Sequence, residues 1–458
     1  MTAVRQNLSV VPAVGLALLA VAVAGCGTGG RGDEELPLPV APVMLAGNDM
    51  EIRWQTRALL TPGTHLTDVW VSDPFLVCHG SDHRVYVIDA KTGVRLWSKD
   101  LADARETVWP PTVSKGDIWF ATTTRLIGFH GAEGRNILAQ AQRAQREVQR
   151  AKDEARRDAW QAKVMARRME QRAEPRQYTM ARSAAESQIA AAATLERGRE
   201  ALTVDREGIE LGFAPAGRPT TNGVHVFIPD GKGWLQAVGI VPHVVSWGRW
   251  TNDAVTAGPV ADDALIYFAG RDGVVYASAQ NVRRVLWQYQ TEGAIVADLK
   301  RTEAGLVLAA SLDYSLYAFQ GTSGRLDWRY NAGERIRRAP YAFGSQVFVF
   351  TGQAGLTALD ENGKIQWQLA EGDDVITADA ETVYVLSRGN DLLAVGRKDG
   401  KVRWGAPLRR GSLIGTNETD TGVLYLATPE GQVLAVARKQ EAGQGAGDAV
   451  AEAPAPAP

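Results

Sequence analysis

The sequence predicts an all-β protein: an eight-bladed β-propeller closed by an N-terminal strand, with an α-helical hairpin inserted into its second blade. Three observations predict it. A motif of roughly forty residues recurs and ends in tryptophan, which marks an array of like units. Clear copies are Val85-Tyr-Val-Ile-Asp-Ala-Lys-Thr-Gly-Val-Arg-Leu-Trp97, Leu316-Tyr-Ala-Phe-Gln-Gly-Thr-Ser-Gly-Arg-Leu-Asp-Trp328, Leu356-Thr-Ala-Leu-Asp-Glu-Asn-Gly-Lys-Ile-Gln-Trp367 and Leu392-Leu-Ala-Val-Gly-Arg-Lys-Asp-Gly-Lys-Val-Arg-Trp404. Each copy reads as strand, glycine turn, strand. Finally, the last unit ends after Val433-Leu-Ala-Val436 without its tryptophan strand, and a matching piece, Glu51-Ile-Arg-Trp54-Gln-Thr-Arg, stands at the front.

The chain opens with a targeting segment, residues 1–25. Arg5 supplies positive charge, and the apolar run Val14–Ala24 is short for a membrane span. It ends in Val23-Ala24-Gly25-Cys26, which resembles a bacterial lipobox, so Cys26 is expected to carry lipid. Residues 26–47 have the composition of a flexible tether, Gly-rich then Pro-rich. Gly27, Gly29 and Gly32 match a dinucleotide-binding spacing, but no strand precedes them, so that reading is discarded. The propeller is expected over 48–439. The tail, 440–458, has the Ala, Gly and Pro content of a disordered segment.

Within the propeller each unit carries a short apolar strand rich in β-branched and aromatic residues. These are Phe75–Cys78, Ile118–Ala121, Val224–Ile228, Leu265–Phe268, Leu306–Ala309, Val347–Phe350, Val383–Leu386 and Val423–Leu426. The structural blade tryptophans are Trp54, Trp97, Trp247, Trp287, Trp328, Trp367 and Trp404. An indole wedged between adjacent sheets removes ~150–250 Å² from water, worth ~4–6 kcal/mol. Pairing of the Trp54 segment into the last blade would remove the free edge between first and last blades.

The second unit is interrupted. After Arg125–Gly134 the expected tryptophan strand is replaced by residues 136–207, rich in Ala, Arg, Gln and Glu. Glu174-Pro175 divides the run, so two helices, 136–173 and 178–203, are expected to fold as a hairpin. Its arginines Arg143, Arg146, Arg150, Arg157 and Arg168 are possible partner contacts. Glu207–Phe213 is expected to resume the delayed outer strand.

Composition narrows the function. A formal net charge of −2 gives no general pull toward nucleic acid. Cys26 and Cys78 are the two cysteines, and a lipidated Cys26 leaves Cys78 without a disulfide partner. The cluster Cys78-His79-Gly-Ser-Asp82-His83 has zinc-binding residue types. Cys78 and His79 would face opposite sides of a strand, with Asp82 and His83 in a turn, so no metal site is expected. No G-x-S-x-G elbow or Walker loop occurs. No catalytic residue and no cofactor are assigned.

The pattern Ala90-Lys-Thr-Gly93-Val-Arg-Leu-Trp97 resembles the tryptophan-docking repeat of quinoprotein-type (PQQ-like) propellers, over about residues 51–439 apart from the insertion. The resemblance is specific for fold and weak for function. One branch, the pyrroloquinoline-quinone dehydrogenases, implies a much longer chain, a calcium or lanthanide site and adjacent cysteines; no two cysteines are adjacent here. The other is the non-catalytic BamB-like lipoproteins of the outer-membrane β-barrel assembly machinery. That branch does not generally carry a helical arm. The expected function is a non-enzymatic envelope scaffold, facing the periplasm from the outer membrane, with envelope proteins as partners and no nucleic acid. Gly27 after the cysteine, in place of aspartate, favours that membrane. The alternatives are a propeller binding a small ligand or glycan, and a degenerate quinoprotein.

Overall fold

The structure, a computed structural model, describes residues 37–103, 105–137, 208–240, 245–281 and 284–439, together with residues 150, 153, 157 and 161. The described chain forms eight antiparallel sheets of four strands each. Blade 1 runs from Leu66 to Asp100, and the chain continues blade by blade to blade 7, which ends at Pro407. Blade 8 takes its three inner strands from Leu413–Gly415, Leu424–Ala427 and Gln432–Arg438. Its outer strand is Met50–Arg57, paired from Met50↔Arg438 to Arg57↔Gln432. The N-terminal closure expected from the sequence is therefore present.

Every blade has the same economy. Its second strand is apolar because both faces are covered by neighbouring blades; Leu265–Ala269 and Leu306–Ala310 are buried at every position. Runs without alternation are what such two-sided burial requires. The outer strand has one face in solvent, so it alternates: Val285–Gln290 reads partly buried, exposed throughout.

A row of three residues crosses the outer three strands. Phe227, Ala237 and Trp247 stand opposite one another in blade 3, and Tyr267, Ala277 and Trp287 do so in blade 4. The row recurs as Phe348–Ala358–Trp367 and Tyr384–Ala394–Trp404. In blade 8 it is Tyr425–Ala435–Trp54, so the closing strand keeps the register of the repeat. The small central residue lets the two rings approach over it, with centroids 5.8 Å apart for Phe227–Trp247 and 6.0 Å for Tyr267–Trp287. A bulge follows the alanine in each of these rows, as between Ala277 and Ser278. Such bulges sharpen the local twist of the sheet.

One expectation is revised. The composition predicts a tether through residue 47, but its end is docked: Val40 and Leu45 are 2% and 1% exposed. Val40 bridges to Leu408, and Arg409 N–H donates to Pro39 O at 2.7 Å. The short helix Pro42–Ala46 leads from there into the closing strand. The sequence concealed this because Gly and Pro dominate the preceding residues. The innermost strands were also unread. Thr220–Thr221, Val260–Ala261 and Lys300–Arg301 are too short for any periodicity.

Blade 2 carries the interruption. Ile209–Glu210 pairs with Leu126 and Arg125, so the outer strand resumes where the sequence placed it. The helical hairpin 136–207 lies mostly outside the described residues. Within it Arg150, Asp153, Arg157 and Gln161 are helical and exposed. Among the described residues there is no coiled coil. Residues 1–36 and the tail 440–458 are likewise outside them, and so is Cys26.

Candidate functional site

The blade tryptophans hold a geometry that the sequence half revealed. Six indole N–H groups donate to a backbone carbonyl in the next blade: Trp54 to Ala90, Trp97 to Gly131, Trp247 to Gln280, Trp287 to Gly321, Trp328 to Glu361 and Trp367 to Arg397. Distances run from 2.6 Å for Trp97 and Trp287 to 3.0 Å for Trp54. In five of the six the acceptor precedes or opens the glycine turn of that blade; residues 280–284, after the Trp247 acceptor, hold no glycine. Gly324 sits at φ +69°, and a Cβ there would meet the Trp287 ring at 2.4 Å. Gly93 is related to Trp54 in the same way, at φ +73° and 2.5 Å. Both backbone conformation and the approaching ring therefore demand glycine. The seventh, Trp404, packs on Tyr384 with centroids 6.2 Å apart.

Of the two seams outside this set of six, the one from blade 2 to blade 3 departs further. Blade 2 has no outer-strand tryptophan; Ile209 and Leu211 pack there with Val226, Ile228 and Val238 of blade 3. The sequence that follows the third strand of blade 3, residues 239–244, lacks the glycine motif. Trp119, on the second strand of blade 2, lies over Gly128, whose Cβ would strike it at 2.6 Å. An indole is thus supplied from a different strand.

A recess of about 220 Å³ is lined by Trp70, Arg218, Asp298, Lys300, Tyr341 and Glu418, among others. These come from blades far apart in sequence, which places the recess on the axis. Glu418 belongs to the long blade-8 loop 416–423 and pairs with Lys300 of blade 5. Blades 5 and 8 are not neighbours, so this ion pair crosses the channel. Burial would raise the Glu418 carboxyl, but Lys300 and then Arg218 outweigh it and hold the group below its usual range. The loop is fixed to blade 7 by Asn417 N–H to Ile376 O and Gly422 N–H to Ala378 O, both 2.8 Å. Beside it, burial and the nearby Asp374 push the Tyr341 phenol well up.

The histidine cluster is a packed stack. Trp70 stacks on His79 at 5.0 Å, and His79 on His83 at 5.4 Å. His79 Nδ1 lies 3.1 Å from Thr67 Oγ1 and 3.3 Å from Asp68 Oδ2. The His79 hydrogen bond, aided by Thr67, holds the Asp68 carboxyl below its ordinary value against its burial. Cys78 points into the hydrophobic cluster between blades 8 and 1, and burial pushes its thiol up to about 12. Cys78 is therefore separated from His79 and His83. Among the described residues no group of three or more His, Cys, Asp or Glu side chains is placed to hold a metal ion.

The larger recess, about 550 Å³, is on the face carrying the turns between second and third strands. It is lined by Tyr314, Glu334, Arg335, Arg337, Arg338 and Phe350, with Thr351 and Gly352. Ile336, fully buried, anchors the connection from blade 5 to blade 6, so the flanking arginines point outward. The Arg338 guanidinium lies 4.2 Å from the Phe350 ring centre and Arg388 lies 5.9 Å from it. Sequence reading missed this groove. The run Glu334-Arg-Ile-Arg-Arg338 was its one visible signal.

Of the expected arm contacts, Arg150 and Arg157 are exposed, and Arg157 Nε donates to Asp153 O at 3.4 Å. Arg143, Arg146 and Arg168 lie outside the described residues. No described helix is long and apolar enough to cross a membrane.

A family model described as outer membrane protein assembly factor BamB matches residues 43–238, 187–373 and 271–444. A comparison with curated proteins found no match. Among solved structures, BamB from Moraxella catarrhalis is similar with a TM-score of 0.56 and 13% identity, covering 86% of this chain and 98% of that one. The computationally designed Ika8 protein is similar with a TM-score of 0.53 and 10% identity, over 81% of this chain and 96% of that one. Quinohemoprotein alcohol dehydrogenase from Comamonas testosteroni has a TM-score of 0.54 and 12% identity, over 90% of this chain and 79% of that one. At these identities the likeness establishes the fold.

Proposed function

The chain belongs to the family of the outer membrane protein assembly factor BamB, and from that premise we propose that it is a non-catalytic envelope scaffold that docks other proteins. The observation that carries the reading is where the open space lies. The axial recess is crossed by Lys300–Glu418 and holds about 220 Å³. The larger recess opens on an exposed loop face and is lined by arginines and aromatics, the residue types enriched where proteins meet. A ring stapled at most seams keeps such a face rigid, which lowers the entropic cost of docking.

The finer proposal is assistance in outer-membrane protein assembly, from the periplasmic side of that membrane. Acylated Cys26 would anchor the chain, two or more acyl chains being what stable attachment needs. The exposed arm arginines, Arg150 and Arg157 included, would be a second contact surface. Mild detergent extraction of the full chain is expected to co-purify outer-membrane assembly proteins. Recovery solely as a free monomer counts against the role, and substitution of Cys26 by serine should release the protein into the soluble fraction.

A second reading rests on the axial recess itself, which pairs Trp70 and Tyr341 with Arg218, Asp298 and Lys300 and so offers stacking and charge to a small polar ligand. Intact-mass analysis after ligand soaking separates the two.

A further inference from the structure

We propose that the groove between blades 5, 6 and 7 is a docking site for an extended acidic segment of a partner protein. The inference rests on the scaffold reading and names the chemistry of one contact. Its walls carry Arg335, Arg337 and Arg338, and Arg388 reaches the same aromatic ring from blade 7. Glu334 and Asp373 are the acidic side chains engaged there. Glu334 accepts the Gln353 N–H at 2.7 Å, and Asp373 pairs with Arg338 at 3.5 Å. Arg335 and Arg337 are exposed and have no ion-pair partner among the described residues. Their guanidinium forks are free to take carboxylates in the two-pronged geometry that arginine favours.

Phe350 supplies the floor. It is the one incompletely buried position of the strand Gln346–Thr351. Its ring is flanked by Arg338 and Arg388, which are held in turn by the Asp373 carbonyl at 2.8 Å and the Thr351 carbonyl at 3.5 Å. An aromatic ring with fixed cations around it is a preorganised anchor for an apolar side chain between two acidic ones. Tyr314, 45% exposed, extends the apolar strip. A volume of about 550 Å³ suits a short stretch of extended chain. Closely spaced phosphates would meet Glu334 and Asp373 as well as the arginines, whereas carboxylates set apart along a peptide can avoid them.

The test uses the full-length chain and a fluorescein-labelled peptide of sequence Asp-Glu-Phe-Glu-Asp, followed by fluorescence anisotropy. Binding is expected to weaken about ten-fold or more in Arg335→Glu/Arg337→Glu, two exposed sites whose reversal leaves the melting temperature in place. Phe350→Leu should weaken it with less salt dependence. The proposal is overturned if the double variant binds as the wild type does, or if a matched Asn/Gln peptide binds equally well. Tighter binding of inorganic polyphosphate or of anionic-lipid vesicles than of the peptide also overturns it. Co-purification separates the two levels of the argument. If the double variant keeps both the peptide and the assembly partners, the groove assignment fails and the scaffold stands. If the wild type captures none while still binding the peptide, the assembly role fails and the groove stands.

Discussion

At the residue scale, the protein depends on a contact that takes one residue from each of two blades. Tryptophan on one outer strand covers the left-handed glycine of the next blade and donates to its backbone. Each half is meaningless alone, which is why the motif carries both: Gly93 receives Trp54 and Trp97 passes the contact onward to Gly134. Trp247, 8% exposed and bonded to Gln280 O, allows the parts to be separated. Trp247→Phe should cost about 1 kcal/mol, the worth of the lost hydrogen bond. Trp247→Ala should cost about 3–5 kcal/mol through the cavity left behind. Both are read from urea midpoints. Gly324→Ala should destabilise by about 1–3 kcal/mol from φ strain alone, and more from the Trp287 collision. In a double-mutant cycle Trp287→Ala should remove the collision and leave the strain. Full additivity would refute the contact.

At the element scale, the seams are unequal. Blades 2 and 3 meet through Ile209, Leu211 and Trp119 in place of an outer-strand indole. Backbone amides of Ile209–Glu210 and Thr220–Thr221 are therefore expected to exchange with deuterium faster than the matching pair across the blade 4–5 seam. Equal protection would show that Trp119 fully replaces the missing staple. The closing strand is the opposite case. Removing residues 48–58 takes away the Met50–Arg57 pairing and the Trp54 dock together, so melting should fall by several degrees; an unchanged melting temperature would contradict the closure. The loop 416–423 brings a pH dependence. The Glu418 carboxyl is held below its unfolded value, so its pairing stabilises the fold above the ordinary carboxylate range and is lost as pH falls through the folded pKa. Urea midpoints between about pH 3 and 7 should drop less steeply in Glu418→Gln than in the wild type. Parallel profiles would remove the pair from the account.

At the scale of the whole molecule, what the sequence could tell depended on how far each feature is repeated. The blade count, the N-terminal closure and the resumption at Ile209 were legible because a periodic signal makes a missing piece conspicuous. The alanine opposite six of the seven blade tryptophans was also on view, in Leu316-Tyr-Ala-Phe, but its meaning needed the register. The docked end of the tether was hidden by its Gly and Pro neighbours. The two-residue innermost strands of blades 3, 4 and 5 were too short to announce themselves. Cross-channel pairing of Lys300 with Glu418 joins residues 118 apart, and no local pattern predicts that. The groove is similar: Arg338 and Arg388 converge on Phe350 only once three blades are side by side. Sites of this kind arise from the ring, so the fold was far more readable than the surface it presents.

The central claim, that this ring works as a docking platform, is tested most directly by native mass spectrometry of the full chain after mild detergent extraction from its own membrane. The account predicts a species in which the chain is held stoichiometrically with other envelope proteins. A bare chain carrying one equivalent of bound quinone would contradict it and return the protein to the enzymes.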